Sequence, residues 1–275
     1  MTLPSHVGVY GGGRMGAGIA HAFLVTGVDV TVVESTEEAA RAARGRVEAS
    51  LAKAVERGYD GSPGTLVVTT GPEELAGAGL VIEAVPEIVE LKSQVLATVE
   101  RVAREAAIGT NTSSLPIDRL AEALADPSRL VGLHFFNPVP ASDLVEIVVG
   151  ARTAPDLVER AQGWVGDLGK TGITVTDSPG FASSRLGVML ALEAMRMLEE
   201  GVASPADIDT AMTLGYRHPV GPLRTTDIVG LDVRLNIAEH LARELGPRFE
   251  PPAILREKVE RGELGRKSGQ GFYAW

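Results

Sequence analysis

The chain has 275 residues, 44% of them hydrophobic and 23% charged, with a formal net charge of −10 and no cysteine. That length supports a sizeable core and one or two domains. The charge argues against a nucleic-acid binder, and the missing thiols exclude disulfides, cysteine-based metal sites and thiol nucleophiles. No apolar run is long enough to span a bilayer, and residues 1–6 show neither a basic n-region nor an apolar h-region. A cytoplasmic protein without membrane contact and without a metal site is the expectation.

The first half alternates strand-like and helix-like segments. His6 to Tyr10 is a short apolar run that enters a glycine cluster. Met15 to Thr26 reads as a helix closed by Gly27, and Asp29 to Glu34 is a β-branched run ending on an acid. Glu37 to Arg57 reads as a long charged helix. Leu66 to Thr69 and Leu80 to Ala84 are again strand-like, followed by a helix from Glu90 to Glu105. Ala107 to Thr110 and Leu130 to Leu133 complete the series, with a helix from Pro116 to about Leu124 between them. Strands alternating with helices of this length predict an α/β fold with a doubly wound, Rossmann-type parallel sheet.

Beyond Ser178-Pro179-Gly180 the pattern becomes helical. Leu186 to Glu200 is amphipathic, with Leu186, Met189, Leu190, Met197 and Leu198 toward one side. Ser204-Pro205-Ala206-Asp207 is a helix start, a cap followed by proline in the first turn. Leu231 to Leu245 is another helix, ended by Gly246-Pro247. Met189, Met195 and Met197 read as core filler. The expected division is an N-terminal domain over residues 1–180 and a smaller all-helical domain over 181–275.

Gly11-Gly12-Gly13-Arg14-Met15-Gly16 satisfies G-x-G-x-x-G, after a predicted strand and at the opening of a predicted helix. Gly11 would allow the tight turn, Gly13 the close approach of a pyrophosphate, and Gly16 the packing of helix on strand. Glu34 follows Gly13 by 21 positions, at the end of the next strand. A carboxylate there accepts hydrogen bonds from ribose hydroxyls and repels a 2′-phosphate, and neither Ser35 nor Thr36 reverses that. NAD is expected rather than NADP.

Three further segments hold polar residues in apolar, strand-like surroundings: Asn111 to Leu115, Leu133 to Pro138, and Leu144 to Val148. His134 alone could be a hydrogen-bonded core histidine, and Glu146 alone a solvated edge residue. A glutamate amid Leu, Val and Ile is desolvated, however, and needs a partner. A nearby histidine would supply one, and the pair would then work as an oriented base.

The chain resembles the 3-hydroxyacyl-CoA dehydrogenase family, including its 3-hydroxybutyryl-CoA members. The likeness is carried by residues 11–20, by Glu-Ala-Val-Pro-Glu at 83–87 with Lys92, by Asn-Thr-Ser-Ser-Leu at 111–115 and by His-Phe-Phe-Asn-Pro-Val-Pro at 134–140. It continues through Asp-Ser-Pro-Gly-Phe at 177–181, residues 207–212 and 230–232, and Gly-Arg-Lys-Ser-Gly-Gln-Gly-Phe-Tyr at 265–273. The resemblance implies NAD-dependent interconversion of short L-3-hydroxyacyl-CoA and 3-ketoacyl-CoA. His134 would be the general base and Glu146 its orienting partner. Ser113 would hydrogen-bond the reacting oxygen, and Asn137 would help hold His134 or its surroundings. Cofactor contacts fall to Gly11, Gly13, Arg14, Met15, Gly16, Glu34, Glu87, Lys92 and Asn111. The resemblance also implies a homodimer formed through the C-terminal domain.

Two places depart from the family pattern. Ser184 stands where the family has Asn, three residues after the Phe of Pro-Gly-Phe, and is expected to replace it. The family grips CoA from the long helix after the second strand, where this chain offers Arg46, Ser50, Lys53 and Arg57 interleaved with Glu48 and Glu56. A phosphate grip and an ordinary solvated helix face both fit that composition. Another hydroxy acid (a sugar acid or a carrier-protein-bound acyl group) on the same scaffold stays open as an alternative. So does a non-catalytic NAD-binding protein, against which the intact Ser113, His134 and Glu146 set argues.

Overall fold

The structure is a computed structural model that describes residues 2–275. It divides into two compact units, Met1–Ser178 and Pro179–Trp275.

In the first unit the apolar runs become strands. β1 (His6–Tyr10), β2 (Asp29–Val33), β3 (Leu66–Thr69), β4 (Leu80–Glu83), β5 (Ala107–Thr110), β6 (Leu130–Phe135), β7 (Leu144–Val149) and β8 (Thr171–Thr176) form one sheet in the order β3-β2-β1-β4-β5-β6-β7-β8. Helices α1 (Arg14–Leu24), α2 (Glu37–Glu56), α3 (Val89–Val102), α4 (Ile117–Ala121) and α5 (Pro155–Asp167) connect the strands. β1 has β2 on one side and β4 on the other. The strand order therefore reverses at β1, and a crevice opens beyond the carboxyl ends of β1 and β4. Val7, Val9, Val30, Val32, Leu80 and Ile82 are buried in one apolar cluster with Ile19, Phe23 and Leu24 of α1. Burial of each such side chain stabilises the fold by roughly 1.5–3 kcal/mol.

The sheet is not wholly parallel, as the alternation of strands and helices had predicted. β7 runs antiparallel to β6. The reason lies in the connection, residues 136–143, which holds only a short turn at Val139–Ala141. A parallel crossover needs a dozen or more residues, so this loop can only close a hairpin. α5 then provides a true crossover, and β8 lies parallel to β7 at the sheet edge.

The second unit is helical: α6 (Ser183–Glu199), α7 (Pro205–Thr210), α8 (Pro222–Val229), α9 (Leu231–Leu245) and α10 (Ala253–Glu260), with a π-helical turn at Ala211–Gly215. Ser204 caps α7, its Oγ accepting from Asp207 N at 3.2 Å. The buried face of α6 is Val188, Ala191, Leu192, Ala194 and Met195, not the Leu186 side expected from the sequence. Leu186 is 71% exposed. Small residues at 191 and 194 let neighbouring helices approach closely, and that outweighs the larger side chains on the other face. Among the three methionines Met195 is fully buried, while Met189 and Met197 pack at the cluster's margin.

Two aspartates tie this unit together. Asp209 accepts from the backbone N–H of Leu223 at 2.8 Å and of Arg224 at 2.9 Å, at the start of α8, and from the Tyr273 hydroxyl at 2.7 Å. Asp227 accepts from the N–H groups of Phe272 and Tyr273 and from the Trp275 indole. A β-carbon on Gly271 would lie 2.2 Å from Asp227 Oδ1, so only glycine lets the tail approach. The 207–212 and 265–273 motifs thus hold the C-terminal tail in place.

Candidate active site

The glycine loop follows β1 and opens α1. Gly11 has φ +96°, a left-handed conformation open to glycine at little cost. A β-carbon on Gly16 would sit 1.7 Å from the Gly11 carbonyl oxygen, so any other residue there would displace the turn. At Gly13 a β-carbon would meet no atom within 4 Å, which leaves that side of the loop open. Gly13 caps α1 without a side-chain hydrogen bond, and the first turn carries no acid. The N–H groups at this helix start are therefore available to an anion. Glu34, just past β2, reaches back so that its Oε1 accepts from Gly12 N at 2.7 Å. Among the described residues its Oε2 accepts only from Ser35 N, at 3.3 Å, and so keeps acceptor capacity for a hydroxyl. An open glycine cradle, unpaired helix N–H groups and a carboxylate beside them fit the pyrophosphate and ribose of a dinucleotide. Arg14 is exposed at the helix start.

Arg46 is also drawn to this loop. Its Nη1 donates to the Gly12 carbonyl at 3.1 Å, so the structure uses it as a brace for the loop. Lys53 and Arg57 are exposed, and Ser50 is half-buried. With spacings of three and four residues, these three lie along one face of α2.

A second cluster joins the ends of β4 and β5. Glu83, fully buried, accepts from Val85 N at 2.7 Å, Lys92 Nζ at 2.8 Å and Thr110 Oγ1 at 2.7 Å. Lys92 of α3 is 1% exposed and also reaches Glu87, with Nζ to Oε2 at 3.3 Å. Glu87 in turn holds the loop after β5. Its Oε1 accepts from Thr112 Oγ1 at 2.7 Å, Ser113 N at 2.8 Å, Ser113 Oγ at 3.2 Å, Ser114 N at 2.9 Å and Ser114 Oγ at 3.1 Å. Burial pushes the Glu87 carboxyl up. The Lys92 charge and the hydrogen bonds from Thr112, Ser113 and Ser114 outweigh that and leave it below the usual glutamate range. Lys92 is thus a buried anchor, where the sequence suggested a cofactor contact. Glu83 and Thr112 went unnoticed as individual residues. Their signal was an acid closing the apolar run Leu80-Val81-Ile82, with a lysine nine positions on.

The third group is the hairpin β6–β7. His134 and Glu146 are direct cross-strand partners. Opposite residues on an antiparallel pair project to the same face with Cβ atoms ≈ 4.5–5.5 Å apart. His134 Nδ1 and Glu146 Oε2 meet at 2.7 Å, with side-chain exposures of 9% and 0%. A carboxylate only accepts, so Nδ1 carries hydrogen in this pair. Phe136 packs on the imidazole with ring centroids 4.6 Å apart. Asn111 locks β5 to β6, its Oδ1 accepting from Phe135 N at 2.9 Å.

These pieces surround a cavity of about 310 Å³ lined by Met15, Ala84, Val85, Glu87, Asn111, Ser113, His134, Phe135, Phe136 and Asn137. Ser113, His134 and Asn137 are thus brought to one space. Among the described residues the Asn137 side chain makes no hydrogen bond to His134, and the Ser113 hydroxyl is turned to Glu87. Ser184 is half-buried near the start of α6 in the other unit. No cluster of three or more metal-ligating side chains occurs among the described residues, and no helix is long and apolar enough to cross a membrane.

The chain matches known proteins over both units. Residues 6–178 match the NAD binding domain of 3-hydroxyacyl-CoA dehydrogenase, and residues 180–275 match its C-terminal domain. A 3-hydroxybutyryl-CoA dehydrogenase of Mycobacterium tuberculosis is 42% identical over 98% of each chain. The mitochondrial hydroxyacyl-coenzyme A dehydrogenase of Sus scrofa is 36% identical over 99% of this chain and 92% of its own. Among solved structures, the (S)-3-hydroxybutyryl-CoA dehydrogenase of Ralstonia eutropha superposes with a TM-score of 0.93 at 36% identity, over 99% of both chains.

Proposed function

The chain belongs to the 3-hydroxyacyl-CoA dehydrogenase family, and from that membership we propose how its own residues carry NAD-dependent oxidoreduction of 3-hydroxyacyl-CoA. The short L-3-hydroxybutyryl thioester is the proposed substrate, as in the relatives named for it. The single observation that carries the reading is the buried His134–Glu146 pair at 2.7 Å on the wall of the cavity.

NAD, held by Gly11, Gly13, Gly16 and Glu34, supplies the hydride acceptor when bound. His134 Nε2 takes the proton of the C3 hydroxyl as the hydride leaves C3, and it returns that proton to the ketone oxygen in reduction. Glu146 fixes the tautomer and stabilises the imidazolium as it forms. Ser113 serves the reacting oxygen once its hydroxyl rotates away from Glu87. The backbone N–H groups of Ser113 and Ser114 stay on Glu87 and keep the loop in place. Asn137 and Met15 wall the cavity, and Ser184 replaces the family asparagine. Ser50, Lys53 and Arg57 are the proposed contacts for the CoA nucleotide. The enzyme is proposed to be cytoplasmic and a homodimer through Pro179–Trp275, which exposes Leu186, Leu214 and Tyr216 at 71%, 78% and 76%.

The test is NADH consumption with acetoacetyl-CoA, beside free acetoacetate and NADPH. We expect turnover of the ester with NADH, reduced about 10²–10⁴-fold in His134→Ala. Turnover that survives His134→Ala would refute the assignment of the base, and NAD binding without turnover of any ester would refute the reaction.

A further inference from the structure

Lys170 precedes β8, and its ammonium is directed at two main-chain oxygens. Nζ donates to the Val139 carbonyl at 2.8 Å and to the Ser142 carbonyl at 2.6 Å. Both belong to residues 136–143, the connection between β6 and β7. Within that connection the Pro138 carbonyl accepts from Ala141 N at 3.0 Å and from Ser142 N at 3.1 Å, and the Asp143 carbonyl accepts from Thr171 N at 2.6 Å. The connection is thus tied from inside and from the start of β8. Hydrogen bonds from a charged donor are about twice as strong as neutral ones, so Lys170 supplies the firmest of these ties. Burial pulls the pKa of its ammonium down, and the Asp143 carboxylate opposes that shift.

The other side of the connection rests on α1. A β-carbon on Gly18 would lie 2.9 Å from Val139 Cβ and 3.0 Å from its Cγ2, closer than two packed carbons come, so only glycine lets Val139 seat there. Val139 is 2% exposed. Lys170 also lies near His21, about one turn beyond Gly18 on α1, where burial and then the Lys170 charge hold the imidazole pKa down. The connection is therefore held between the helix that opens at the glycine loop and the lysine ahead of β8. What it carries reaches the chemistry. Phe136 packs on the His134 imidazole, and Asn137 lines the cavity together with Met15 of α1.

We infer that Lys170 is a positioning residue for the oxidoreduction: by clamping residues 139–142 against α1 it sets Phe136 and Asn137 on the cavity wall. The inference rests on the reading of the chain as a 3-hydroxyacyl-CoA dehydrogenase with His134 as its base. The Glu146 bond fixes Nδ1, and the Phe136 ring limits how far the imidazole plane can tilt about it. A general base works only within hydrogen-bond reach of the proton it takes, so a loosened ring loses rate rather than binding.

The experiment is acetoacetyl-CoA reduction by NADH in Lys170→Met, which keeps the apolar stem and removes the ammonium. Misplacing a reacting group by about 1 Å costs about a hundred-fold, so kcat should fall about ten- to a hundred-fold, with KM for the ester and for NADH within about three-fold of the wild type. Gly18→Ala pushes Val139 off its seat with Lys170 intact and should lower kcat in the same range. Because both act through one loop, the double variant should lose far less than the product of the two losses. Amide hydrogen exchange over residues 136–143 should be at least about ten-fold faster in Lys170→Met, with β6 and β7 unchanged. A kcat within about two-fold of the wild type, a loss confined to KM, or losses that multiply overturns the inference and leaves the dehydrogenase assignment standing. If Lys170→Met does not fold, Lys170→Gln, which keeps a neutral donor, takes its place under the same criteria. Failure of both to fold makes Lys170 a residue of the fold and overturns its positioning role. If the wild type reduces no ester, the dehydrogenase assignment fails, and hydrogen exchange judges the clamp by itself: faster exchange at residues 136–143 in Lys170→Met supports it, and unchanged exchange overturns it.

Discussion

Lys92→Met tests whether the buried Glu83–Lys92–Glu87 cluster holds the site. The substitution keeps the length and apolar stem of the side chain and removes the charge. Glu83 would remain fully buried with its carboxylate 2.7 Å from Val85 N and Thr110 Oγ1, but without its 2.8 Å ammonium partner. Breaking a buried pair by removing one member costs about 3–5 kcal/mol. The two surviving hydrogen bonds favour the lower end. Glu87 adds little, because its side chain is 33% exposed and water screens it. At roughly 2.1 cal/mol/K per residue, a unit of 178 residues unfolds with an entropy of about 0.4 kcal/mol/K. A loss of about 3 kcal/mol then lowers Tm by about 8 °C, readable by circular dichroism. The double variant Glu83→Gln/Lys92→Met should recover at least half of that loss, because the amide can still accept from Val85 and meet the Thr110 hydroxyl with no charge left buried. A drop below about 2 °C in the single variant, or no recovery in the double, would refute the reasoning.

Glu146→Gln should lower kcat at least about ten-fold with little change in KM, and further, toward 10⁴-fold, if the amide N–H₂ turns to Nδ1 and imposes the wrong tautomer; steady-state kinetics decide. Glu87 titrates below the usual glutamate range, so its stabilising contribution is complete above that range and is lost as pH falls through its lowered value. Thermal melts between about pH 7 and about pH 3 should therefore show a shallower acid decline for Glu87→Gln than for the wild type. Asp177 has the opposite sign. Burial raises its pKa despite hydrogen bonds from the Asp118 and Ile117 N–H groups, so its contribution is favourable when protonated and is lost as pH rises. Asp177→Asn, which can still accept from Asp118 N, should raise Tm at about pH 7 and lose that advantage near about pH 4.

How legible these features were depends on whether their cause is local. β1, the glycine loop and Glu34 were readable because strand, turn and helix follow one another within about thirty residues, as in any βαβ unit. α9 was readable to its ends, Leu231 and Leu245, because Gly246-Pro247 stops it. β8, α5, α8 and α10 were not foreseen. Ile173 and Val175 of β8 do alternate with threonines, but the run is short and its side chains are exposed or half-buried at a sheet edge, so the signal is weak. α8 and α10 are eight residues each, and their starts depend on contacts from distant chain, such as Asp209 at the α8 N-terminus. The buried face of α6 is not legible in the sequence because helical periodicity reports which residues share a side, while burial depends on which side the neighbours cover. Asn111 is recognisable as important, but its partner at Phe135 lies on the neighbouring strand, where only tertiary structure joins them.

The antiparallel turn of β7 explains why a catalytic pair could be seen in the sequence at all. Had β7 run parallel to β6, a crossover would have separated them, and the carboxylate facing His134 would have come from a remote and variable position. The short hairpin instead makes the pairing a matter of register. With Phe135 opposite Val145 and Leu133 opposite Ile147, His134 must face Glu146. A slip of one residue in either strand would put the two side chains on opposite faces, and the apolar residues on either side resist such a slip because they are buried on both faces of the sheet. The acid/base pair is therefore held by the same packing that closes the core. The tip of the Ser113 loop, in contrast, is held through the Glu87 carboxylate, so the two halves of the site should respond differently to perturbation. Core substitutions beside β6 and β7 should cost stability before they alter the His134–Glu146 geometry, whereas loss of Glu87 should release the Ser113 loop from an otherwise folded domain.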